Sequence, residues 1–363
     1  MNKVVLFAIP HLYGGGAERV VSLWASYLAQ TLSCSVHILV SGRVPNEYAI
    51  DERVTISSIS STYEDYDKLS ILTKIRKRRS LIKQIKPDYI ISFLPHIQIQ
   101  TFIATLGIEV KRIETIRVSP WVLNLKNLSK ILFNLCLSTS YKVILQTNEQ
   151  KEFFHRLIQD KCIVIPNPID DNYKRLSEKQ QSQVVEHFVA AGRIVPQKNY
   201  SMMIRAFTLV CKEYPKISLD IFGGGENAEL DKLTHLIEQL GMTNNIRLRG
   251  RSNKIIDEYL SHDVFLMTSD YEGMPNALLE AMASGMICLT TDCKTGPKDM
   301  IIHGESGFLL PVNDVQAFAD AIRNVIQMTQ TERQKIGECA RTWIMSMCSS
   351  ETTTKSLLSI FDN

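Results

Sequence analysis

The sequence of 363 residues lacks the cysteine spacing that marks a disulfide framework or a zinc site. Its eight cysteines are scattered, with no CxxC pair and no cluster of histidines near them. Scattered cysteines of this kind are typical of reduced thiols in a cytosol. We therefore expect a cytoplasmic protein whose fold depends neither on disulfides nor on a structural metal.

Long apolar runs are missing as well. The first apolar run ends after seven residues in a glycine loop, so it predicts a core strand rather than a signal peptide. Residues 89–108 carry no charged side chain. A proline, a histidine and two glutamines lie in their middle, where a membrane-spanning helix would bear a heavy desolvation cost. We expect a buried strand, a turn and a helix there, and no transmembrane helix.

The length is about twice that of a typical domain, so two domains are expected. Short β-branched apolar runs alternate with amphipathic segments, which is the pattern of parallel α/β architecture. A segment rich in Pro, Asn and charged residues separates two series of predicted strands and indicates a linker or hinge. We predict two Rossmann-like, doubly wound parallel-sheet domains, at 1–172 and 186–340, facing a central cleft. A C-terminal helix, 341–363, is expected to cross back to the first domain.

Positive charge is concentrated in the first half of the chain, whereas the second half is slightly acidic. Residues 68–86 hold eight basic residues and no acidic one, and their isoleucines recur at helical spacing. A packed helix with a solvated basic face is one interpretation, and attachment to an anionic membrane surface is the other. We expect no nucleic-acid partner, because no aromatic stacking pattern accompanies the basic residues.

Two glycine-rich loops each follow a predicted strand. In GGGAERV, Gly14–Val20, three glycines open a helix, and such a loop lets the backbone approach an anionic ligand. A tight turn is the alternative, although it would need only one glycine. FGGGENAEL, 222–230, fits the dinucleotide-binding pattern, but IRLRGRS stands where that pattern needs an acidic residue for the ribose. A dinucleotide is therefore the weaker interpretation of the second loop.

Two cations and two carboxylates follow strands of the second series. Arg193 and Lys198 come just after the first of these strands, where both can converge on a diphosphate. Glu272 and Glu280 lie on either side of a glycine and proline turn that starts a helix. A carboxylate accepts two hydrogen bonds from a vicinal diol, and a helix N-terminus favours an anion. These residues indicate a clamp for a nucleotide-sugar, and surface charges at an ordinary helix start are the alternative.

Four blocks in this order carry a resemblance to a known family: GGGAERV, then VIPNPID with AAGRIVPQKN, then DIFGGGENAELDKLTHLIEQLG, then SDYEGMPNALLEAMASGMICLTTDCKTGPKDMI with GESGFLL. The chain resembles the retaining glycosyltransferases of family 4, and its glutamate pair is similar to their E-x7-E motif. The resemblance is dense in the second half and looser in the first. It implies the GT-B fold. It also implies transfer of a hexose or N-acetylhexosamine from a nucleotide sugar, expected to be UDP-linked, to a saccharide acceptor with retention of configuration.

The resemblance implies roles for individual residues. Glu272 should hold the donor sugar, Glu280 the ribose, and Arg193 with Lys198 the leaving diphosphate. His96, at the end of the fourth strand, is implied to lie near the donor sugar, with Glu272, Arg193 and Lys198 as the other catalytic residues.

Further contacts follow from the same resemblance. Arg117 is an implied acceptor residue. The remaining donor contacts are implied at the first glycine loop, near the base, and at the helix start: Gly15, Gly16, Arg251, Gly273, Met274, Pro275 and Asn276.

We expect no cofactor and no metal, because arginine and lysine already supply positive charge to the diphosphate. A DxD-like pair, Asp65 and Asp67, follows a polar stretch and is interpreted as a loop. The resemblance points to polysaccharide or lipid-linked oligosaccharide assembly, with a polyprenyl-diphosphate-linked acceptor at the cytoplasmic face of the inner membrane. A GT-B-like epimerase or phosphorylase and a non-catalytic nucleotide-sugar-binding subunit are the alternatives.

Overall fold

The computed structural model describes residues 3–31 and 34–361, and this part of the chain forms two compact units. Unit 1 extends to Pro168 and includes the chain again from Ser350 onward, while unit 2 is Ile169–Ser349. Each unit has one sheet whose strands all pair in parallel, with helices packed against it. The prediction of two Rossmann-like parallel-sheet domains is confirmed.

The sheet of unit 1 has the strand order β3-β2-β1-β4-β5-β6-β7. The strands predicted from β-branched runs in the first series are all present. The seventh is a short edge strand within the segment predicted as a linker, where three apolar residues before a proline give no usable periodicity. The strands are β1 Val4–Ile9, β2 Ser35–Arg43, β3 Thr55–Thr62, β4 Tyr89–Phe93, β5 Lys111–Thr115, β6 Lys142–Leu145 and β7 Cys162–Val164.

Helices cover both faces of this sheet. Alternate residues of β1 point to opposite faces, so Phe7 packs with Trp24 of α1 while Leu6 packs with Ile82 of α3 and Ile97 of α4. α16 packs on α1, and α3, α4 and α5 are neighbours in that order. The helices are α1 Gly16–Thr31, α2 Tyr63–Asp67, α3 Ile71–Ile85, α4 Pro95–Thr105, α5 Asn127–Ser138, α6 Asn148–Glu152, α7 Arg156–Gln159 and α16 Ser350–Leu358.

The basic segment 68–86 forms α3, which is shorter than predicted because Ser70 caps its start and Lys86 adopts a left-handed conformation at its end. Arg78 is fully buried and donates from Nη2 to Ser41 Oγ at 3.3 Å. Arg79 donates to the carbonyl oxygens of Ala104 and Leu106 at the end of α4. Arg78 therefore does not lie on a solvated face of this helix.

The Asp65 and Asp67 pair is also not in a loop. Both residues belong to α2, whose N-cap Thr62 accepts a hydrogen bond from the backbone N–H of Asp65. Asp65 further forms an exposed ion pair with Lys68. A capping threonine three residues before an aspartate is the local signal for this helix start.

The sheet of unit 2 has the strand order β10-β9-β8-β11-β12-β13. Its strands are β8 His187–Ala191, β9 Ser218–Phe222, β10 Ile246–Gly250, β11 Val264–Met267, β12 Ile287–Thr291 and β13 Phe308–Leu310. Its helices are α8 Asp171–Lys174, α9 Tyr200–Cys211, α10 Asn227–Gln239, α11 Ile255–Ser261, α12 Asn276–Ala283, α13 Pro297–Met300, α14 Val315–Gln327 and α15 Gln330–Cys348. One face of the sheet packs on α9, α10 and α14, and the other on α12 and α15.

The polar segment before β8 is attached to unit 2. Arg333 of α15 donates from Nη2 to the carbonyl oxygens of Ser182 and Gln183 at 2.7 and 2.9 Å. Gln181 donates to the carbonyl oxygen of Gly285 at 2.9 Å. The chain passes between the units at Pro168–Ile169 and again at Ser349–Ser350. The pattern of apolar residues in the sequence does not indicate these hydrogen bonds, because they join polar side chains to backbone carbonyls.

Candidate functional site

Loops after four neighbouring strands of unit 2 carry most of the residues singled out in the sequence. Arg251 follows β10, Gly223 follows β9, Arg193 and Lys198 follow β8, and Glu272 follows β11. Because carboxyl ends of parallel strands meet at one edge of a sheet, all of these residues lie along the same edge. This edge is the usual ligand-binding position of a doubly wound sheet.

Lys198 and Glu272 form an ion pair at this edge. Lys198 Nζ lies 2.5 Å from Glu272 Oε1, and only 13% and 9% of the two side chains are exposed. The same carboxylate oxygen accepts from Ser269 Oγ at 2.6 Å, and Oε2 accepts from Gln197 Nε2 at 3.4 Å. A shielded carboxylate with three donors is held in one orientation.

The turn that carries Lys198 is fixed from both sides. Residues 196–198 form a 3₁₀ turn, and Asn199 has φ of +47°, a conformation that asparagine tolerates better than most residues. Thr268 Oγ1 donates to the carbonyl oxygens of Lys198 and Asn199, and Asn199 Nδ2 donates to Asp270 at 2.9 Å. These bonds join the end of β11 to the start of α9.

The loop after β12, to whose residues the sequence analysis assigned no role, supports the backbone of Glu272. Thr295 Oγ1 donates to the backbone carbonyl of Glu272, and Tyr271 pairs with Lys294 in a parallel bridge. Burial raises the pKa of the Cys293 thiol to about 12, and the carboxylate of Glu272 adds to this shift. Gly296 is required there, since a Cβ at this position would lie 2.6 Å from the carbonyl oxygen of Gly273.

The glycines of the second glycine-rich loop are explained by packing. A Cβ at Gly223 would lie 1.8 Å from the carbonyl oxygen of Gly192, and one at Gly225 would lie 2.2 Å from that of Ile194. The two loops are bonded through the Gly192 and Ile194 N–H groups, at 3.0 and 2.9 Å. The resemblance of this loop to a dinucleotide fingerprint therefore has a structural cause, namely the contact between the ends of β8 and β9.

The remaining predicted residues of unit 2 differ in exposure. Arg193 and Arg251 are exposed, and the Arg251 guanidinium lies over Gly224, where a Cβ would be 2.7 Å from Nε. Gly273, Met274 and Pro275 are buried, and Asn276 begins α12 behind them. Glu280 lies in α12 and is 6% exposed. The first N–H groups of a helix have no acceptor within the helix, so this end of α12 favours an anion.

The first glycine loop lies at the start of α1 in unit 1. Gly14 has φ of +74°, which favours glycine, and Gly15 accepts from the Arg19 N–H at 3.2 Å. A Cβ at Gly15 would lie 1.9 Å from Glu18 Oε2. The carboxylate of Glu18 therefore covers this glycine, and an anionic ligand at the loop would have to displace it.

His96 lies in the first turn of α4, directly after β4. Leu94 before it has φ of +67°, which is strained for leucine and turns the chain into the helix. His96 is exposed on one side, and the protein on its other side desolvates the ring. This desolvation lowers the pKa of His96, and the Arg78 guanidinium lowers it further. The imidazole is therefore neutral at pH 7.

Arg117 follows β5 and is directed into unit 1. Its guanidinium stacks on Trp24 with 4.5 Å between the guanidinium carbon and the ring centroid, and Nη1 donates to Asn167 at 3.0 Å. Burial lowers its pKa to about 9. Nε and Nη2 are shielded from solvent and have no acceptor within residues 3–31 and 34–361.

Within residues 3–31 and 34–361, no group of three or more His, Cys, Asp and Glu side chains is arranged to hold a metal ion. None of the helices described is long and apolar enough to cross a bilayer.

The two parallel-sheet units define a GT-B type of fold. The Anabaena protein Alr3699/HepE, whose crystal structure contains UDP-glucose, superposes with a TM-score of 0.81 at 17% identity over 99% of both chains. Residues 174–343, nearly all of unit 2, match the family Glycosyl transferases group 1. The site at the strand ends of unit 2 therefore lies within the residues that match this family.

Relatives along most of the chain are also glycosyltransferases. An uncharacterised glycosyltransferase of Haemophilus influenzae is 24% identical, over 87% of this chain and 88% of its own. The amylovoran biosynthesis glycosyltransferase AmsD of Erwinia amylovora is 24% identical over 92% of both chains. Some other relatives are matched over less than two thirds of their own length.

Proposed function

We propose that this protein is a retaining glycosyltransferase of family 4 that transfers a hexose or N-acetylhexosamine from a UDP-sugar to a saccharide acceptor. The observation that carries the proposal is the shielded Lys198–Glu272 pair beside the N-terminus of α12. It lies at the ligand-binding edge of a unit that matches the glycosyl transferases group 1. The UDP-glucose complex of Alr3699/HepE supports the choice of nucleotide.

In this proposal the donor lies across the strand ends of unit 2. Arg193 and Lys198 neutralise the diphosphate together with the N-terminal N–H groups of α12, and Arg251 lies near the base. Glu272 accepts hydrogen bonds from the donor sugar, and Glu280 from the ribose. The exposed Arg193 supports this assignment, because a long flexible cation at a strand end can close on a bound anion.

Roles in unit 1 rest on the family resemblance. Gly15 and Gly16 would contact the donor, and His96 would lie by the donor sugar, where a neutral imidazole can accept or donate a hydrogen bond. Arg117 is proposed to serve the acceptor. Because its guanidinium is shielded, it would do so by holding Asn167 and Trp24 in place, or by turning outward when the acceptor binds.

The chemistry follows from charge development during the reaction. The bond between the anomeric carbon and the diphosphate oxygen breaks, and a bond to the acceptor hydroxyl oxygen forms. The sugar gains oxocarbenium character, the diphosphate gains negative charge, and the hydroxyl proton passes to the departing diphosphate. Attack on the face from which the diphosphate leaves gives retention. Arg193, Lys198 and the helix N-terminus stabilise the leaving group.

The proposal extends to the pathway in which the enzyme acts. The name of the relative AmsD points to polysaccharide biosynthesis, and we propose a similar or lipid-linked oligosaccharide pathway at the cytoplasmic face of the membrane. A polyprenyl-diphosphate-linked acceptor would explain the excess of basic residues in the first half of the chain.

A donor panel tests the proposed function. UDP-hexoses and UDP-N-acetylhexosamines are offered with and without a mixture of soluble saccharide acceptors, and UDP release is measured. Release that requires an acceptor, with a retained anomeric configuration in the product by NMR, is expected. A changed sugar nucleotide without acceptor would identify an epimerase instead. Binding of UDP-sugars without any turnover would identify a non-catalytic subunit.

A further inference from the structure

The solvent side of α5 in unit 1 is apolar. Leu128, Ile131 and Leu135 are 69%, 64% and 45% exposed. Their spacing of three and four residues places them in one stripe along the helix. The opposite side of α5 is buried through Phe133 and Leu137. A surface helix normally presents polar residues to water, so an apolar stripe on the outer side requires an explanation.

Other exposed apolar residues belong to the same part of unit 1. α7 packs against α5, and its Leu157 is 67% exposed. Phe153, just before α7, is exposed and lies 5.3 Å from the ring of Trp121, which precedes α5. We call this set the α5 face; it consists of Trp121, Leu128, Ile131, Leu135, Phe153 and Leu157.

The charge around the α5 stripe has one sign. Residues 115–148 contain no Asp or Glu, and Lys126 and Lys130 are exposed beside the stripe. Farther along the same helix layer, α3 exposes Ile71 and Leu72, together with Arg76. The α6 and α7 region contributes both signs, so the basic excess comes from α5 and α3.

We propose that the α5 face docks on an anionic lipid surface, with its apolar side chains among the acyl chains and Lys126 and Lys130 at the headgroups. On α5 the exposed apolar residues are flanked by lysines without acids, which matches the chemistry of such an interface. A symmetric contact of the α5 stripe with the same stripe of a second copy of the chain is disfavoured, because Lys126 and Lys130 would approach the same lysines and residues 115–148 offer no carboxylate. The inference rests on the proposed function only in that a lipid-linked acceptor gives the docking a purpose.

The test is co-sedimentation of the full chain with vesicles of phosphatidylcholine, with and without phosphatidylglycerol. The wild type should bind the anionic vesicles. In the triple variant Leu128→Gln, Ile131→Gln, Leu135→Gln the partition coefficient should fall about a thousandfold, the scale set by the low end of the transfer free energy of three leucine-sized side chains. Lys126→Gln with Lys130→Gln should weaken binding roughly thirtyfold at low salt.

A matched control has three exposed apolar residues of unit 2 changed in the same way, Val184→Gln, Leu260→Gln and Ile302→Gln. This control should bind as the wild type does, and circular dichroism should show all variants folded. Equal binding by the triple variant, or no binding by the wild type, would overturn the proposal. So would a wild-type dimer that the triple variant converts to a monomer. Turnover of UDP-sugar with a soluble acceptor, measured on the same samples, reports separately on the proposed function.

Discussion

Lys198 Nζ and Glu272 Oε1 lie 2.5 Å apart, and both side chains are largely shielded from solvent. The cation proposed for the diphosphate and the carboxylate proposed for the donor sugar thus neutralise each other when no donor is bound. A shielded charge is costly without a partner. A bound donor would give the lysine a phosphate and the carboxylate sugar hydroxyls in place of each other. Because neither residue can then give up its partner alone, recognition of the diphosphate and recognition of the sugar are coupled.

A double-mutant cycle measures the energetic coupling between the side chains of Lys198 and Glu272 in the folded protein. Lys198→Gln or Glu272→Gln alone should each lower the free energy of unfolding by about 3 kcal/mol, because each leaves one shielded charge without its partner. The double variant should lose less than the sum of the two by at least about 1 kcal/mol. Urea denaturation provides the measurement. Strictly additive losses would mean that the two charges are not energetically paired.

Arg193 allows donor recognition to be tested without this stability cost. Its side chain is exposed, so Arg193→Gln should leave the unfolding transition unchanged. Loss of a charge-assisted contact to the diphosphate should lower kcat/KM for the donor by roughly tenfold to a hundredfold.

Arg205→Gln, an exposed arginine on α9 of the same unit, is the matched control. It should retain wild-type kinetics. If both variants kept full activity, Arg193 would have no part in donor use, and its assignment to the diphosphate would be wrong.

The sheets and the edge that carries the site follow from local patterns. β1 lies in the first apolar run of the sequence, where a core strand is predicted, because six consecutive apolar residues with β-branched members are compatible with a buried parallel strand. Arg193, Lys198 and Glu272 could be assigned to one edge, because residues after parallel strands meet there whatever the details of the loops.

Long-range side-chain partners do not follow from such patterns. Nothing local indicates that Lys198 pairs with Glu272, or that Thr295 holds the backbone of Glu272 from another loop. The same is true of Arg78, since periodicity gives its position on α3 but not the burial of one basic residue among exposed ones. Short elements such as β7 cannot be predicted from the sequence either, because three residues are too few to show a period.

Transfer should persist after chelation. If arginine, lysine and a helix N-terminus neutralise the diphosphate, EDTA should change the rate of UDP release by less than about twofold. The measurement compares EDTA-treated protein with the same sample after addition of Mg²⁺ or Mn²⁺. Loss of activity with EDTA, restored by either ion, would show that a bound cation holds the diphosphate.

Glu114 should make stability depend on pH. This residue of β5 is fully buried, and its Oε1 accepts from Arg112 Nη1 at 3.2 Å and from Cys136 Sγ at 3.3 Å. Burial raises its pKa to about 7, although Arg112 opposes the shift. The folded state then holds a proton that the unfolded state releases near pH 4.5. This contribution to stability is full below about pH 4.5 and is lost as pH rises through 7.

The difference in unfolding free energy between wild type and Glu114→Gln isolates the contribution of Glu114 ionisation. Glutamine cannot ionise, so the wild type should lose on the order of 3 kcal/mol of unfolding free energy relative to Glu114→Gln between about pH 4.5 and pH 8. Urea denaturation at several pH values gives both curves. Glu109→Gln removes an exposed carboxylate from the same region and should keep the wild-type dependence. Parallel curves for wild type and Glu114→Gln would mean that the folded Glu114 is already ionised at pH 5, stabilised by Arg112.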